Sequence, residues 1–385
     1  MKEIILLGAT GSIGTQTLEI IKRHHEYQVE AISFGYNITL ARDIIKNYPV
    51  KYVSVIKEED AKQLQKEFPH ILFGYGEEGL LDAIRNYKGD VINAITGISG
   101  LKPTITAISL KKNVLLANKE SLVVAGDIIK KMAKDNDVKI IPIDSEHNAI
   151  YRLLNNENRK SVKNLIITAS GGAFRDKKRS ELESVTIADA LAHPNWQMGR
   201  KITVDCATMV NKGLEVMEAH HLFDFPYENI NTVIHKESII HSMVEFTDNS
   251  VSALMYNPSM LSPISYALLG DTYECGLEEL DFAKLSSLTF KKMDYERYPM
   301  IKLAYKVGIK GGFYPTIYNA SNEAAVELFL DNKIKFLDIE VIINKAINDY
   351  DKYLKKLSNY DFSIDNILLL DKIVKEDVRN TYFRS

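Results

Sequence analysis

The sequence predicts an α/β protein with three parts: an N-terminal Rossmann-like doubly wound parallel sheet, a central α+β domain holding the candidate catalytic residues, and a C-terminal helical bundle. Three observations predict it. Ile4, Ile5, Leu6 and Leu7 form a short apolar strand that runs into Gly8-Ala9-Thr10-Gly11-Ser12-Ile13-Gly14 and then a helical pattern from Thr15 to about Arg23. Strand-like runs alternate with helical stretches as far as residue 145, the pattern of a parallel sheet with crossover helices. Beyond Tyr151 strands turn back on one another directly, and beyond Thr316 only helical stripes remain. The expected division is 1–145, 146–279, a polar linker at 280–300, and 301–385.

Composition narrows the classes. A chain of 385 residues, 45% hydrophobic and 26% charged, is an ordinary globular protein large enough for two or three cores. A net charge of -3 leaves no basic footprint for nucleic acid or anionic membrane, so neither is expected as a partner. The two cysteines, Cys206 and Cys275, make no disulfide framework, and a cytoplasmic setting is expected. No apolar run reaches membrane-spanning length, and Lys2 and Glu3 ahead of a short strand do not read as a signal peptide.

Taken in order, the glycine-rich turn lets backbone N–H groups approach a pyrophosphate at a helix N-terminus. Its spacing is GxxGxxG rather than GxGxxG, so a ligand-free turn stays open. The second strand ends in Ser33, Phe34 and Gly35, followed by Tyr36 and Asn37. No carboxylate stands there for a ribose 2′-hydroxyl, which favours NADP over NAD. Strands follow at 52–55, 91–95, 114–118 and 139–143. Asn118-Lys119-Glu120 and Asp144-Ser145-Glu146 thereby fall on one rim, at strand carboxyl ends, where such sheets bind ligands. Asp144 and Glu146, spaced i and i+2, share a face in extended chain and suit a hard divalent cation; a helix N-cap at Asp144 or Ser145 is the competing reading.

In the second domain, residues 165–170 read as a strand leading into Gly171-Gly172, and residues 201–206 as another strand, followed by a helix with Asn211, Lys212 and Glu215. Residues 229–235, 242–246 and 251–256 continue the sheet, with a hairpin turn at 247–250. Ser170, Asn211 and Lys212 offer hydroxyl, amide and ammonium donors for a phosphate, although Ser-Gly-Gly can be a plain turn. Lys212 and Glu215 share a helix face, as a surface ion pair or as two site ligands. The only tryptophan, Trp196, lies in a loop with His193, Pro194, Met198 and Gly199. It is either a lid over substrate or an aromatic packed beneath its own loop.

Together these motifs resemble the 1-deoxy-D-xylulose 5-phosphate reductoisomerases from Gly8 to about Ile339. The specific stretches are GATGSIG, ANKES at 117–121, IDSEHNAI at 143–150, ASGGAF at 169–174, HPNWQMG at 193–199 and VDCATMVNKGLE at 204–215. The resemblance implies a homodimer that converts the phosphosugar to 2-C-methyl-D-erythritol 4-phosphate with NADPH and Mg²⁺ or Mn²⁺. It implies Asp144, Glu146 and Glu215 as metal ligands, and Lys119, Ser145 and Glu146 at the reacting end of the substrate. It implies Ser170, His193, Asn211 and Lys212 around the phosphate, with Trp196, Cys206 and Glu215 completing the substrate set. Lys119, Glu146 and His193 become the catalytic candidates. Thr10, Gly11, Ser12, Ile13, Gly35, Asn37, Asn118, Glu120 and Gly199 become the cofactor set.

This chain departs from the family pattern at Cys206, where relatives carry serine, and at Tyr36, near the 2′-phosphate. His235-Lys236-Glu237-Ser238 and Asn257-Pro258-Ser259-Met260 depart from it as well. Two other functions remain to be weighed: an aldehyde dehydrogenase using Cys206 as nucleophile, and a regulatory NADP-binding protein.

Overall fold

The computed structural model describes residues 1–155, 157–271 and 274–382. Seven parallel strands form one sheet: β1 (Lys2–Leu7), β2 (Tyr27–Ser33), β3 (Tyr52–Val55), β4 (Leu72–Tyr75), β5 (Asp90–Asn93), β6 (Val114–Leu116) and β7 (Ile140–Pro142). Their order is β4-β3-β2-β1-β5-β6-β7, so the winding reverses between β1 and β5 and opens a crevice at the strands' carboxyl ends. The intervening helices are α1 (Ser12–Arg23), α2 (Ile38–Asn47), α3 (Glu58–Glu67), α4 (Gly76–Arg85), α5 (Leu101–Ser109) and α6 (Lys119–Asn136), followed by α7 (Ser145–Leu154). Ile4, Leu6, Ile32, Val53, Ile92 and Ile143 lie in one core cluster, at most 3% exposed. Fully covered β-branched strands of this kind are what a sheet with helices on both faces produces.

The second sheet is mixed, in the order β11-β10-β8-β9-β12. Its strands are β8 (Val162–Ala169), β9 (Ile230–Ile234), β10 (Ile240–Phe246), β11 (Val251–Met255) and β12 (Lys291–Lys292). β8 and β9 run parallel, joined by α8 (Ile187–Leu191), α9 (Arg200–Thr208) and α10 (Val210–Phe223). After α11 (Leu261–Leu269) and α12 (Phe282–Leu285) come α13 (Pro299–Lys310), α14 (Tyr314–Leu330), α15 (Asp338–Asn348), α16 (Tyr350–Leu354) and α17 (Ile364–Tyr382). α14 is buried on nearly every face, and α9, α13, α15 and α17 pack around it.

The chain forms two compact units: 1–121, 129–148 and 259–277 in one, and 122–128, 149–258 and 278–385 in the other. The C-terminal helices therefore share a unit with the second sheet. α11 returns to the first unit, packing on α1 and β7. The expected linker contributes β12, which pairs with β9 at Val233 and Ile234.

One expected element is corrected. Residues 201–206 are not a strand but lie within α9. The β-branched run Ile202-Thr203-Val204 imitates a strand, yet Thr203, Val204, Asp205, Ala207 and Thr208 are the buried positions, a helical spacing. Gly199 opens the helix, its carbonyl accepting from both the Thr203 N–H (3.2 Å) and hydroxyl (2.8 Å). Packing against α14 and α10 outweighs local strand propensity here.

Candidate active site

In the first unit, the Gly8 and Ala9 N–H groups bond the Ser33 carbonyl at 3.1 and 2.8 Å, tying the glycine-rich turn to the end of β2. No side chain caps α1 at Gly11, and a helix N-terminus of this kind favours an anion. Gly14 is required by space: a Cβ there would lie 2.3 Å from the Gly8 carbonyl oxygen and 2.6 Å from the Ala9 backbone. Thr10, Gly11, Ser12 and Ile13 lie on this turn, half-buried or exposed. At the end of β2, Tyr36 is 78% exposed, and Asn37 caps α2 by accepting from the Leu40 N–H at 3.1 Å. Asn118 caps α6, and its amide group donates to the carbonyls of Ile95 and Gly97 at 2.8 Å each, so its side chain is committed to the scaffold.

At the end of β7 the chain leaves the strand before the carboxylates. Asp144 sits at the α7 boundary, its carbonyl accepting from the Asn148 N–H at 2.8 Å, while Ser145 and Glu146 occupy the first turn. The shared-face argument from extended chain therefore does not apply, and the N-cap reading describes the backbone. Ser145 donates to Glu146 at 2.6 Å. Lys119, buried at the start of α6, forms an ion pair with Asp144 Oδ2, an oxygen that has no partner in hydrogen-bond geometry. Two carboxylates beside a buried ammonium make an oxygen-only donor set suited to a hard divalent cation.

In the second unit, β8 ends at Ala169 and delivers Ser170-Gly171-Gly172 into a tight turn. The His193 Nδ1 accepts two backbone N–H bonds, from Asn195 (3.2 Å) and Trp196 (3.0 Å). Its proton therefore resides on Nε2, which lies 3.0 Å from Ser170 Oγ. Burial, with Arg175 adding to it, pushes the His193 pKa down to about 4, so the ring is neutral at physiological pH. Ser170 Oγ also accepts from the Gly172 N–H at 3.2 Å. With both lone pairs engaged, the Ser170 hydroxyl is left to act as a donor.

Asn211, Lys212 and Glu215 converge on α10: Glu215 accepts from Asn211 Nδ2 and from Lys212 Nζ, each at 2.5 Å, and is 1% exposed. Cys206 lies on α9, half-buried. Its carbonyl oxygen would be 2.5 Å from a Cβ on Gly172, whose φ is +69°, so the Ser-Gly-Gly turn rests directly on that helix. Trp196 is half-buried and edge-on to His241, with ring centroids 6.1 Å apart and planes at 78°, and His241 stacks on Tyr256 at 3.6 Å. Gly199 is exposed at the α9 N-terminus, and Glu120 is buried on α6.

Sequence reasoning missed Arg175 and Asn195. The Lys236 carbonyl accepts from both, Arg175 Nη1 at 2.7 Å and Asn195 Nδ2 at 2.5 Å, and Asn195 also donates to Ser238 Oγ at 2.8 Å. Asn195 within the quoted 193–199 stretch and Arg175 next to the 169–174 stretch were the available signal.

Known proteins resemble this chain over most of its length. A sequence profile described as 1-deoxy-D-xylulose 5-phosphate reductoisomerase matches residues 4–126, its C-terminal domain matches 140–223, and the DXP reductoisomerase C-terminal domain matches 255–377. A 1-deoxy-D-xylulose 5-phosphate reductoisomerase of Shouchella clausii is 52% identical, over 90% of this chain and 93% of its own. The enzyme of that name from Listeria monocytogenes is 48% identical over 98% and 99%. A crystal structure of DOX-P reductoisomerase with NADPH, fosmidomycin and magnesium superposes with a TM-score of 0.93 at 35% identity, covering 99% of this chain and 98% of that one. The Zymomonas mobilis enzyme with NADPH superposes at 0.89 and 37% identity, covering 99% of both.

Proposed function

The chain belongs to the 1-deoxy-D-xylulose 5-phosphate reductoisomerase family, and from that premise we propose how its own residues carry out the reaction. It is an NADP-dependent oxidoreductase that rearranges and reduces 1-deoxy-D-xylulose 5-phosphate to 2-C-methyl-D-erythritol 4-phosphate, a step toward isoprenoid precursors. Its cofactors are NADPH and a divalent cation.

The observation that carries the residue assignment is the Lys119–Asp144 pair beside Glu146, at strand ends of the same sheet whose β1 opens the glycine-rich turn. Asp144, Glu146 and Glu215 are the proposed ligands of Mg²⁺ or Mn²⁺. When bound, the cation supplies Lewis-acid polarisation of the ketone and neighbouring hydroxyl oxygens, and NADPH supplies the hydride. Lys119 offers N–H donors to those oxygens and helps move the hydroxyl proton, while Ser145 and Glu146 orient that end of the sugar. Ser170 donates to the phosphate, with His193 holding its hydroxyl in that role, and Asn211 and Lys212 add amide and ammonium donors. Cys206 is a weaker donor than the serine of relatives. Trp196 covers the site and excludes water. Thr10, Gly11, Ser12, Ile13, Gly35, Asn37, Asn118, Glu120 and Gly199 make up the proposed NADPH-binding set.

Residues 1–145 take the nucleotide-binding role, 146–279 the metal and phosphosugar role apart from α11, and 301–385 a supporting one. A homodimer and a cytoplasmic location complete the proposal. No helix among the described residues is long and apolar enough to cross a membrane. The direct test is NADPH oxidation with 1-deoxy-D-xylulose 5-phosphate, with and without divalent cation. Turnover that persists in chelator would overturn the metal assignment.

A further inference from the structure

α9, α14 and α17 hold a run of buried and half-buried charges that the reaction itself does not use. Asp205 on α9 is 2% exposed, and both its oxygens are engaged: Oδ2 with Lys201 Nζ at 2.9 Å, Oδ1 with Asn322 Nδ2 of α14 at 2.8 Å. The next residue on α14, Glu323, meets Lys375 Nζ of α17 at 2.5 Å. Lys375 also pairs with Asp371 at 2.9 Å; burial pushes the Glu323 carboxyl up, but the charges of Lys201 and Lys375 outweigh it and hold its pKa below the ordinary value. Alternating charge thus links the last helix of the chain, through α14, to α9. A buried set of this kind contributes little net stability compared with apolar side chains of the same volume. What it does supply is one fixed register between helices.

That register matters because α9 is the floor of the phosphate corner. The Gly172 turn leaves no room for a single added carbon above Cys206 and Ala207, whose atoms would be met at 2.5 and 2.8 Å. Immediately after α9 the chain turns at Met209, φ +63°, and enters α10, which begins with Val210 and Asn211. A small shift of α9 therefore displaces donors on both sides of it.

We propose that Asp205 is a positioning residue for phosphosugar binding, clamping α9 to α14 so that the Ser170 turn and the start of α10 stay in register. The C-terminal helices thereby serve the site through one buried carboxylate. The inference rests on Ser170, Asn211 and Lys212 being the phosphate ligands.

The test compares Asp205→Asn and the milder Lys201→Met with Lys212→Met, reading KM for the phosphosugar, KM for NADPH, kcat and melting temperature. Asp205→Asn should raise the phosphosugar KM about tenfold or more, with kcat and the NADPH KM within about threefold of the parent. Lys201→Met should show the same selectivity with a smaller amplitude. A purely structural role would lower the melting temperature and the active fraction without moving one KM alone, and that result overturns the proposal. If Asp205→Asn does not fold, Lys201→Met decides by the same criterion. Should Lys212→Met leave the phosphosugar KM unchanged, the phosphate assignment itself fails. Should Lys212→Met raise it while both clamp variants do not, the assignment stands and the clamp is refuted.

Discussion

Ser170→Ala isolates the donor role assigned to one hydroxyl. In the structure Ser170 Oγ accepts from His193 Nε2 at 3.0 Å and from the Gly172 N–H at 3.2 Å, so the proton lost in the variant is the one available to substrate. A hydrogen bond to a charged acceptor contributes about 1.5–3 kcal/mol. At about 1.4 kcal/mol per decade, its loss corresponds to roughly a 10- to 150-fold fall in kcat/KM for the phosphosugar. The fold should tolerate the change, because Ser170 is only half-buried and water can reach the freed His193 N–H. A steady-state assay of NADPH oxidation, run beside a thermal melt and an NADPH titration, separates these quantities. Since the His193 effect passes through Ser170, adding His193→Gln to Ser170→Ala should cost far less than the His193 substitution alone. A loss below about threefold, a comparable loss of NADPH affinity, or full additivity of the two substitutions would refute the reasoning.

Three other outcomes are expected. Glu146→Gln changes little volume but removes a ligand charge, and should cost turnover about a hundredfold or more while NADPH still binds; near-parental activity at limiting Mn²⁺ would show that Glu146 is not a ligand. Trp196, the only tryptophan, should change its emission when a phosphonate analogue joins the enzyme–NADPH–cation complex. Trp196→Ala should raise the phosphosugar KM without the loss of several kcal/mol that a core aromatic incurs; fixed emission, or such a loss, would identify it as packing. Burial pushes the Asp371 pKa up from 3.8 to about 6. The native carboxyl therefore holds its proton more tightly than the unfolded one, and this stability is present below about pH 4 and lost as pH rises through about 6. Asp371→Asn should accordingly stabilise the protein at pH 7.5 by roughly 1–3 kcal/mol and have no effect near pH 4. Equal melting shifts at the two pH values would exclude this account.

The residues most legible in the sequence were those whose signal is local. Strand, glycine turn and helix lie contiguous from Lys2 to Arg23, and the carboxylates of the Asp144 segment follow a β-branched run directly. The period of apolar side chains and the order of elements thus determined a parallel doubly wound sheet, a central α+β domain and C-terminal helices. Motif composition determined the family. α9 was not legible, because Ile202-Thr203-Val204 satisfies both a strand and a buried helix until its neighbours are known. The same limit applies to hydrogen bonds. Nothing in the spacing of Ser170 and His193 says which imidazole nitrogen holds the proton; that follows from two backbone N–H groups of the loop after His193. Asp205 and Asn322 stand 117 positions apart, and α11 packs on α1 from far along the chain. Sequence sets which groups are present and what local periods they follow. Only tertiary structure decides which distant groups come within hydrogen-bond reach, because that depends on packing summed over whole elements rather than on any one of them.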